Sequence, residues 1–110
     1  MKTREEKRND ALVLFMEGEI NIGNSPELRK IFEEVVKRNE KKVLVDFAAV
    51  SYIDSSGLAT LIEVFQRLKK IGGNLRLCSM DAKIRNIFEI TKLHKVFNIF
   101  DSQDAALKEF

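Results

Sequence analysis

Apolar and polar residues alternate along the chain in two different periods. In residues 11–16 both strand faces are apolar, with Leu12, Leu14 and Met16 on one and Val13 and Phe15 on the other. This pattern is typical of a strand that is covered on two sides. Residues 43–48 form a second apolar run with strand character. Two interior strands are therefore predicted, at residues 11–16 and 43–48.

Helical spacing appears after each of these strands. One apolar stripe follows the first strand, and a second fills residues 58–71 until Gly72-Gly73 ends it. Ser25 is expected to cap the first helix, with Pro26 in its first turn. The residues that form the two stripes are Leu28, Ile31, Phe32, Val35 and Val36, and then Leu58, Leu61, Ile62, Phe65 and Leu68.

The last third of the chain repeats the alternation of strand and helix. A strand is predicted at residues 75–80, followed by a helix that carries Ile84, Ile87 and Phe88 and that Ser79 or Asp81 caps. A short strand is predicted at residues 96–100. The last helix is predicted to start within residues 101–104 and to run to residue 110. The charged residues 1–10 fit either a frayed tail or an edge strand. The fold class is thus α/β, one small domain over residues 1–110, with a mixed, mostly parallel β-sheet and helices packed on it.

The stretch Asp54-Ser55-Ser56-Gly57-Leu58 lies where a strand passes into a helix. Asp and Ser accept hydrogen bonds from the free amides of a first helical turn, so Asp54, Ser55 or Ser56 is expected to be the cap. The two adjacent hydroxyls also stand where the helix dipole favours a phosphate. Asn21–Ser25 follows another strand, and the two loops are therefore expected to share one rim of the sheet.

Composition limits the function further. The chain has 110 residues, and its 19 Lys and Arg against 17 Asp and Glu give a net charge of +2. This balance offers no basic surface for direct nucleic-acid binding. No apolar run approaches the roughly 20 residues of a membrane span, and the charged N-terminus lacks a secretory signal. The sequence favours a cytoplasmic protein that does not bind membranes.

Candidate chemistry is sparse. Cys78 is the one cysteine and His94 the one histidine, too few soft ligands for a structural zinc site, so no metal and no cofactor is expected. Cys78 is expected to be a small core or half-buried strand residue. His94 is expected to be a loop histidine that is either on the surface or hydrogen-bonded within the protein. A serine hydrolase or nucleotide hydrolase that uses Ser55 or Ser56 would need a base and a loop motif that the sequence lacks, so the chain is not predicted to be an enzyme.

The residues around the serine pair resemble the signature of the STAS domain, and specifically of the anti-sigma factor antagonists. The similarity runs from Val43-Leu44-Val45-Asp46-Phe47 through Ser51-Tyr52-Ile53-Asp54-Ser55-Ser56-Gly57-Leu58-Ala59-Thr60-Leu61. Other matching stretches come in the family's order over nearly the whole chain, at Gly18-Glu19-Ile20-Asn21, Pro26-Glu27-Leu28, Gly73-Asn74-Leu75-Arg76-Leu77 and Ile87-Phe88-Glu89-Ile90-Thr91-Lys92-Leu93.

This resemblance implies a partner switch that regulates transcription. The unmodified protein would bind an anti-sigma factor that is also a serine kinase and so release a sigma factor. Phosphorylation would end the binding, and a serine phosphatase would restore it. The resemblance assigns the phosphate to Ser56, with Ser55 as second choice. The implied partner-binding residues are Asn21, Asn24, Asp54, Ser55, Ser56, Gly57 and Leu58.

Two points qualify the implied switch. Asn21 stands where the family commonly has an aspartate, which removes a charge near the serine pair. An alternative function is a STAS subunit that docks constitutively in a larger complex, such as a lipid transporter or a stress scaffold, without phosphorylation. Reaction with ATP separates the two functions, because only the switch requires a phosphorylated serine.

Overall fold

A computed structural model describes residues 1–110 and contains one five-stranded sheet. The strands follow each other across the sheet in chain order. Strand β1 pairs antiparallel with β2, and all later neighbours are parallel, which confirms the mixed, mostly parallel sheet. The charged N-terminal stretch is therefore an edge strand. The strands are β1 (Lys2–Arg8), β2 (Ala11–Ile20), β3 (Lys42–Ile53), β4 (Asn74–Cys78) and β5 (Asn98–Phe100).

Four α-helices pack on the two faces of this sheet. They are α1 (Ser25–Lys37), α2 (Ser55–Lys70), α3 (Ala82–Ile90) and α4 (Gln103–Leu107), with a short 3₁₀ turn at Leu93–Lys95. Helices α1 to α3 bury their apolar sides against one face, where Phe32, Leu61 and Phe88 join the strand residues in the main core. Helix α4 covers part of the other face, where Ala106 packs with Val13 and Leu44.

Several predicted boundaries are corrected. Strand β2 continues past Met16 to Ile20, with irregular pairing on either side of Glu17 and Gly18, and β3 continues to Ile53. The predicted third strand ends at Cys78, and the last strand starts at Asn98 because residues 93–96 turn instead. The polar residues after Met16 stay extended because they pair with the longer strand β3.

The helix caps are partly as predicted. Asp81 caps α3 by accepting a hydrogen bond from the Ile84 amide. Asn24, rather than Ser25, is the N-cap residue of α1, and its side chain makes no capping bond there. Ser25 is the first helical residue and is buried.

The C-terminal residues are held against the sheet by Arg76 on β4. Its guanidinium donates hydrogen bonds to the carbonyl oxygens of Ala106, Lys108 and Glu109, at 2.9, 2.8 and 3.2 Å. The same group lies over the rings of Phe100 and Phe110, with distances of 5.1 and 4.6 Å to the ring centres. A helix of only five residues is marginal alone, so these contacts fix α4 in place.

Candidate functional site

The two loops of the predicted rim lie side by side. Ile20 and Ile53 are partners at the ends of β2 and β3, and the Asp54 amide donates to the Ile20 carbonyl at 3.0 Å. The chain then enters the loop Asn21–Asn24 from one strand and α2 from the other. This confirms that both loops share one edge of the sheet.

The Asp54 carboxylate connects these loops. Its Oδ1 accepts hydrogen bonds from the Ser56 amide, the Gly57 amide and the Ser56 hydroxyl, at 3.0, 3.1 and 2.6 Å. Its Oδ2 accepts the Ile22 amide of the other loop at 3.0 Å. The Ser56 hydroxyl bond, with help from the three amides, lowers the pKa of Asp54. Asp54 is therefore the cap of α2 among the three candidates, and it stays ionised at neutral pH.

The two asparagines shape the neighbouring loop. Asn24 accepts the Asn21 amide at 2.9 Å and donates to the Glu19 carbonyl at 2.8 Å. The Asn21 side-chain oxygen accepts the Gly23 amide at 2.9 Å. An amide oxygen fills this acceptor role as a carboxylate oxygen would, so Asn21 preserves the turn without the charge.

The two serines occupy different environments. The Ser56 side chain is half-buried and donates its hydroxyl to Asp54, and the Ser56 carbonyl accepts the Thr60 hydroxyl at 2.9 Å. Ser55 is exposed, and its hydroxyl makes no hydrogen bond within the protein. Ser55 is thus not the cap of α2. It is the serine hydroxyl of this turn that stands free in solvent.

The other two residues of the signature are packing residues. Gly57 is buried where α2 crosses the strand ends, and a Cβ atom there would lie 2.7 Å from Ile20 Cγ2 and 2.8 Å from Ile53 Cγ1. The Leu58 side chain is only 6% exposed and belongs to the main core. Both residues are buried beneath the turn, so they hold it in place and offer no side-chain surface to a partner.

One surface residue was missed by the sequence reasoning. Ile22 is 78% exposed, although it is a large aliphatic residue, and its backbone amide donates to Asp54 from the neighbouring loop. The sequence feature that could have identified it is a single apolar residue within the otherwise polar run Asn21-Ile22-Gly23-Asn24. Asn21, Ile22, Asp54, Ser55 and Ser56 together form what we call the rim surface.

Other chemical groups lie away from the rim surface. His94 follows α3 in the 3₁₀ turn, where its Nδ1 is 3.3 Å from the Phe88 carbonyl, and Cys78 is completely buried in β4. Both agree with their predicted structural roles. No group of three or more His, Cys, Asp or Glu side chains is arranged to hold a metal ion. None of the helices has the length and apolar character needed to cross a bilayer.

Comparisons with known proteins find a matching domain family and structures of the same fold. The family model for the STAS domain matches residues 2–106. The anti-sigma-B factor antagonist of Bacillus subtilis (strain 168) is 30% identical over 82 residues, which cover 74% of each chain. An anti-sigma factor antagonist from Mycobacterium paratuberculosis has a similar structure, with a TM-score of 0.88, 26% identity and coverage of 96% of this chain and 90% of that one. The phosphorylated form of the Bacillus cell fate determinant SpoIIAA shares the fold, with a TM-score of 0.71 and 17% identity over 94% of this chain and 96% of that one.

Proposed function

Because the chain belongs to the STAS domain family, and relatives that match most of its length are anti-sigma factor antagonists, we propose that it works as a phosphorylation-controlled partner switch. In the unmodified state its rim surface binds an anti-sigma factor that is also a serine kinase. This binding frees a sigma factor. A serine phosphatase reverses the modification.

The observation that carries the proposal is the free Ser55 hydroxyl in a turn that Asp54 joins to the loop of the exposed Ile22. Ser55 opens α2, and Ile22 is joined to the same turn through Asp54. In this proposal Ile22 supplies the apolar centre of the contact, because the buried cores of protein–protein interfaces are more apolar than their rims. A modification at Ser55 therefore falls on the surface that would make the contact.

We assign the phosphate to Ser55 rather than to Ser56, which reverses the order that the resemblance gave. The Ser56 hydroxyl is 2.6 Å from an Asp54 oxygen, so a phosphate there would face a carboxylate and would break its hydrogen bond. The Ser55 hydroxyl has no such bond to lose and is accessible to a kinase. Ser56 remains the alternative acceptor.

The proposed switch works locally. A phosphate brings roughly −1.5 to −2 charges to the rim surface, where it would place a hydrated anion against the contact that Ile22 makes. The positive end of α2 accepts this charge, so the fold stays intact. The protein itself needs no catalytic turnover, no metal and no contact with nucleic acid. It acts in the cytoplasm, where the kinase and the sigma factor would be found.

Reconstitution with an anti-sigma kinase encoded in the same genome tests the proposal. The wild type and the Ser55→Ala, Ser56→Ala and Ser51→Ala variants are incubated with the kinase and ATP. Mass spectrometry then locates the phosphate in the peptide covering residues 53–67. Ser51 is an exposed serine outside the turn and serves as the matched control. We expect phosphate on Ser55, which only Ser55→Ala removes.

Binding to the same kinase completes the test. Ser55→Asp should bind the kinase at least about tenfold more weakly than the wild type, because it adds part of a phosphate's charge. Phosphate found on Ser56 would refute our assignment of the acceptor. A protein that binds its partner equally well with and without ATP, and that gains no phosphate, would show the constitutive docking function instead.

A further inference from the structure

The second face of the sheet is only partly covered. Helix α4 packs over β3, β4 and β5, whereas Phe15 and Glu17 of β2 border open space toward β1. A groove of about 360 Å³ lies there, within the size range of small-molecule sites. Side chains at the groove include Lys2, Arg4, Phe15, Glu17, Asp46 and Ala48. It contains no residue of the rim surface.

A β-bulge shapes the groove. Phe15 pairs with Asp46, but Glu17 pairs with Ala49, so β3 has one more residue than β2 over this interval. The Asp46 Oδ1 accepts the Ala48 amide within the bulge at 2.8 Å. Bulges of this kind bend a strand and redirect its side chains. Here the carboxylate and the small Ala48 side chain both line the groove.

Asp46 is the unusual group in this groove. It is only 6% exposed, and the side chain that hydrogen-bonds its Oδ2 is the neutral amide of Gln103, at 2.8 Å. The Cys78 sulfur lies 3.8 Å from the same oxygen. No Lys, Arg or His forms an ion pair with Asp46, although a buried carboxylate is best satisfied by a cation that also donates hydrogen bonds.

Basic charge lies on the opposite side of the groove. Lys2 on β1 is the cross-strand partner of Glu17 but makes no ion pair. Arg4 lies over the Phe15 ring, 4.1 Å from its centre, and is paired with Glu6. The groove thus has the Asp46 carboxylate on β3, the Lys2 and Arg4 side chains on β1, and Glu17 and Phe15 of β2 between them.

We propose that this groove binds a small zwitterion. Its cationic group, an amidinium, guanidinium or ammonium, donates hydrogen bonds to Asp46. Its flat or apolar body packs against Ala48 and against the Arg4 guanidinium that lies over the Phe15 ring, and its carboxylate points toward Lys2. This pairing of charges follows the distribution of charged side chains in the groove. A plain cation would face Lys2 and Arg4, and a plain anion would face Asp46 and Glu17.

The probe for the test is 4-amidinobenzoate, which has a flat ring between an amidinium and a carboxylate. It is titrated into ¹⁵N-labelled protein while amide chemical shifts are followed. We expect saturable shifts at Phe15, Ala48 and Ala49, with a Kd on the order of 1 mM, and at least about tenfold weaker binding of benzamidine and of benzoate. Each of these two molecules lacks one of the charged groups.

Two groove variants and one control make the test specific. Asp46→Asn removes the negative charge, while Ala48→Leu fills the groove at an exposed position without altering the Asp46 carboxylate. Both should weaken 4-amidinobenzoate binding at least about tenfold. Glu34→Gln, which removes an exposed acid from α1, should not. Shifts outside the groove, no saturable shift, equal binding of benzamidine, or full binding by either groove variant would overturn the proposal.

Discussion

The Asp54 carboxylate accepts the backbone amide of Ile22 across 32 positions of sequence, at 3.0 Å. With its other oxygen Asp54 caps α2, so one side chain fixes both loops of the rim surface. The rim surface is thereby presented as a single rigid unit. A partner that binds it pays little entropy to order the loops.

Removing this carboxylate should destabilise the protein more than removing an ordinary helix cap. Asp54 accepts four hydrogen bonds, whereas Asp81 accepts one from the amide of Ile84. We therefore expect Asp54→Ala to lower the urea midpoint further than Asp81→Ala does. Urea unfolding followed by circular dichroism measures both variants. Equal midpoints would contradict the central role of Asp54.

The contribution of Asp54 to the stability of the fold should depend on pH. Its hydrogen bonds, led by that from the Ser56 hydroxyl, hold its pKa below the usual value. A lowered pKa in the folded state gives stability that is present above the pKa of an unfolded aspartate and is lost as the pH falls through the folded pKa. The stability difference between the wild type and Asp54→Asn should therefore be larger at pH 7 than at about pH 3. An unchanged difference between the two pH values would exclude this linkage.

Gly57→Ala should destabilise the protein by about 1–3 kcal/mol. The added Cβ would lie 2.7 Å from Ile20 and 2.8 Å from Ile53, both of them buried, so α2 would have to move away from the strand ends. The matched control is Ser55→Ala, two residues earlier, because that hydroxyl is exposed and bonds to nothing in the protein. Chemical denaturation should show a clear loss of stability for the glycine variant and almost none for the serine variant.

The reactivity of Cys78 should report on the C-terminal segment. Burial raises the pKa of the Cys78 thiol to about 11. Cys78 belongs to a small buried cluster that also contains Ala106 of α4, and Phe110 packs against this cluster. The folded wild type should therefore react slowly with a disulfide reagent at neutral pH. Arg76→Lys removes the planar group that holds the last carbonyls, so it should speed the reaction. Arg85→Lys changes an exposed ion pair and should leave the rate unchanged.

Local patterns were sufficient to predict most of the fold. The periods of apolar residues identified the interior strands and the three long helices, and Gly72 ends α2 as expected, with a φ of +79° just past the helix. Capping chemistry narrowed the choice to Asp54, Ser55 and Ser56. It could not distinguish them, because the residue at which α2 begins depends on where β3 stops pairing with β2, after Ile53.

Features that depend on distant residues were not predictable in this way. In the sequence Asp46 is an isolated acid within an apolar run, and the Gln103 side chain that hydrogen-bonds it is 57 residues away. The Arg76 contacts with the last carbonyls likewise span 30 residues or more. Extension of β2 to Ile20 depends on the length of β3. In each case a tertiary partner, rather than local preference, decides the structure.

The order of the strands has a consequence for folding. Because each strand pairs with the strand before it in the chain, no later segment has to insert between two strands already joined. Pairing therefore closes comparatively short loops, and such low contact order favours rapid folding. A chain emerging from the ribosome could add one strand at a time, with β1 and β2 joined first and the Arg76 contacts formed last.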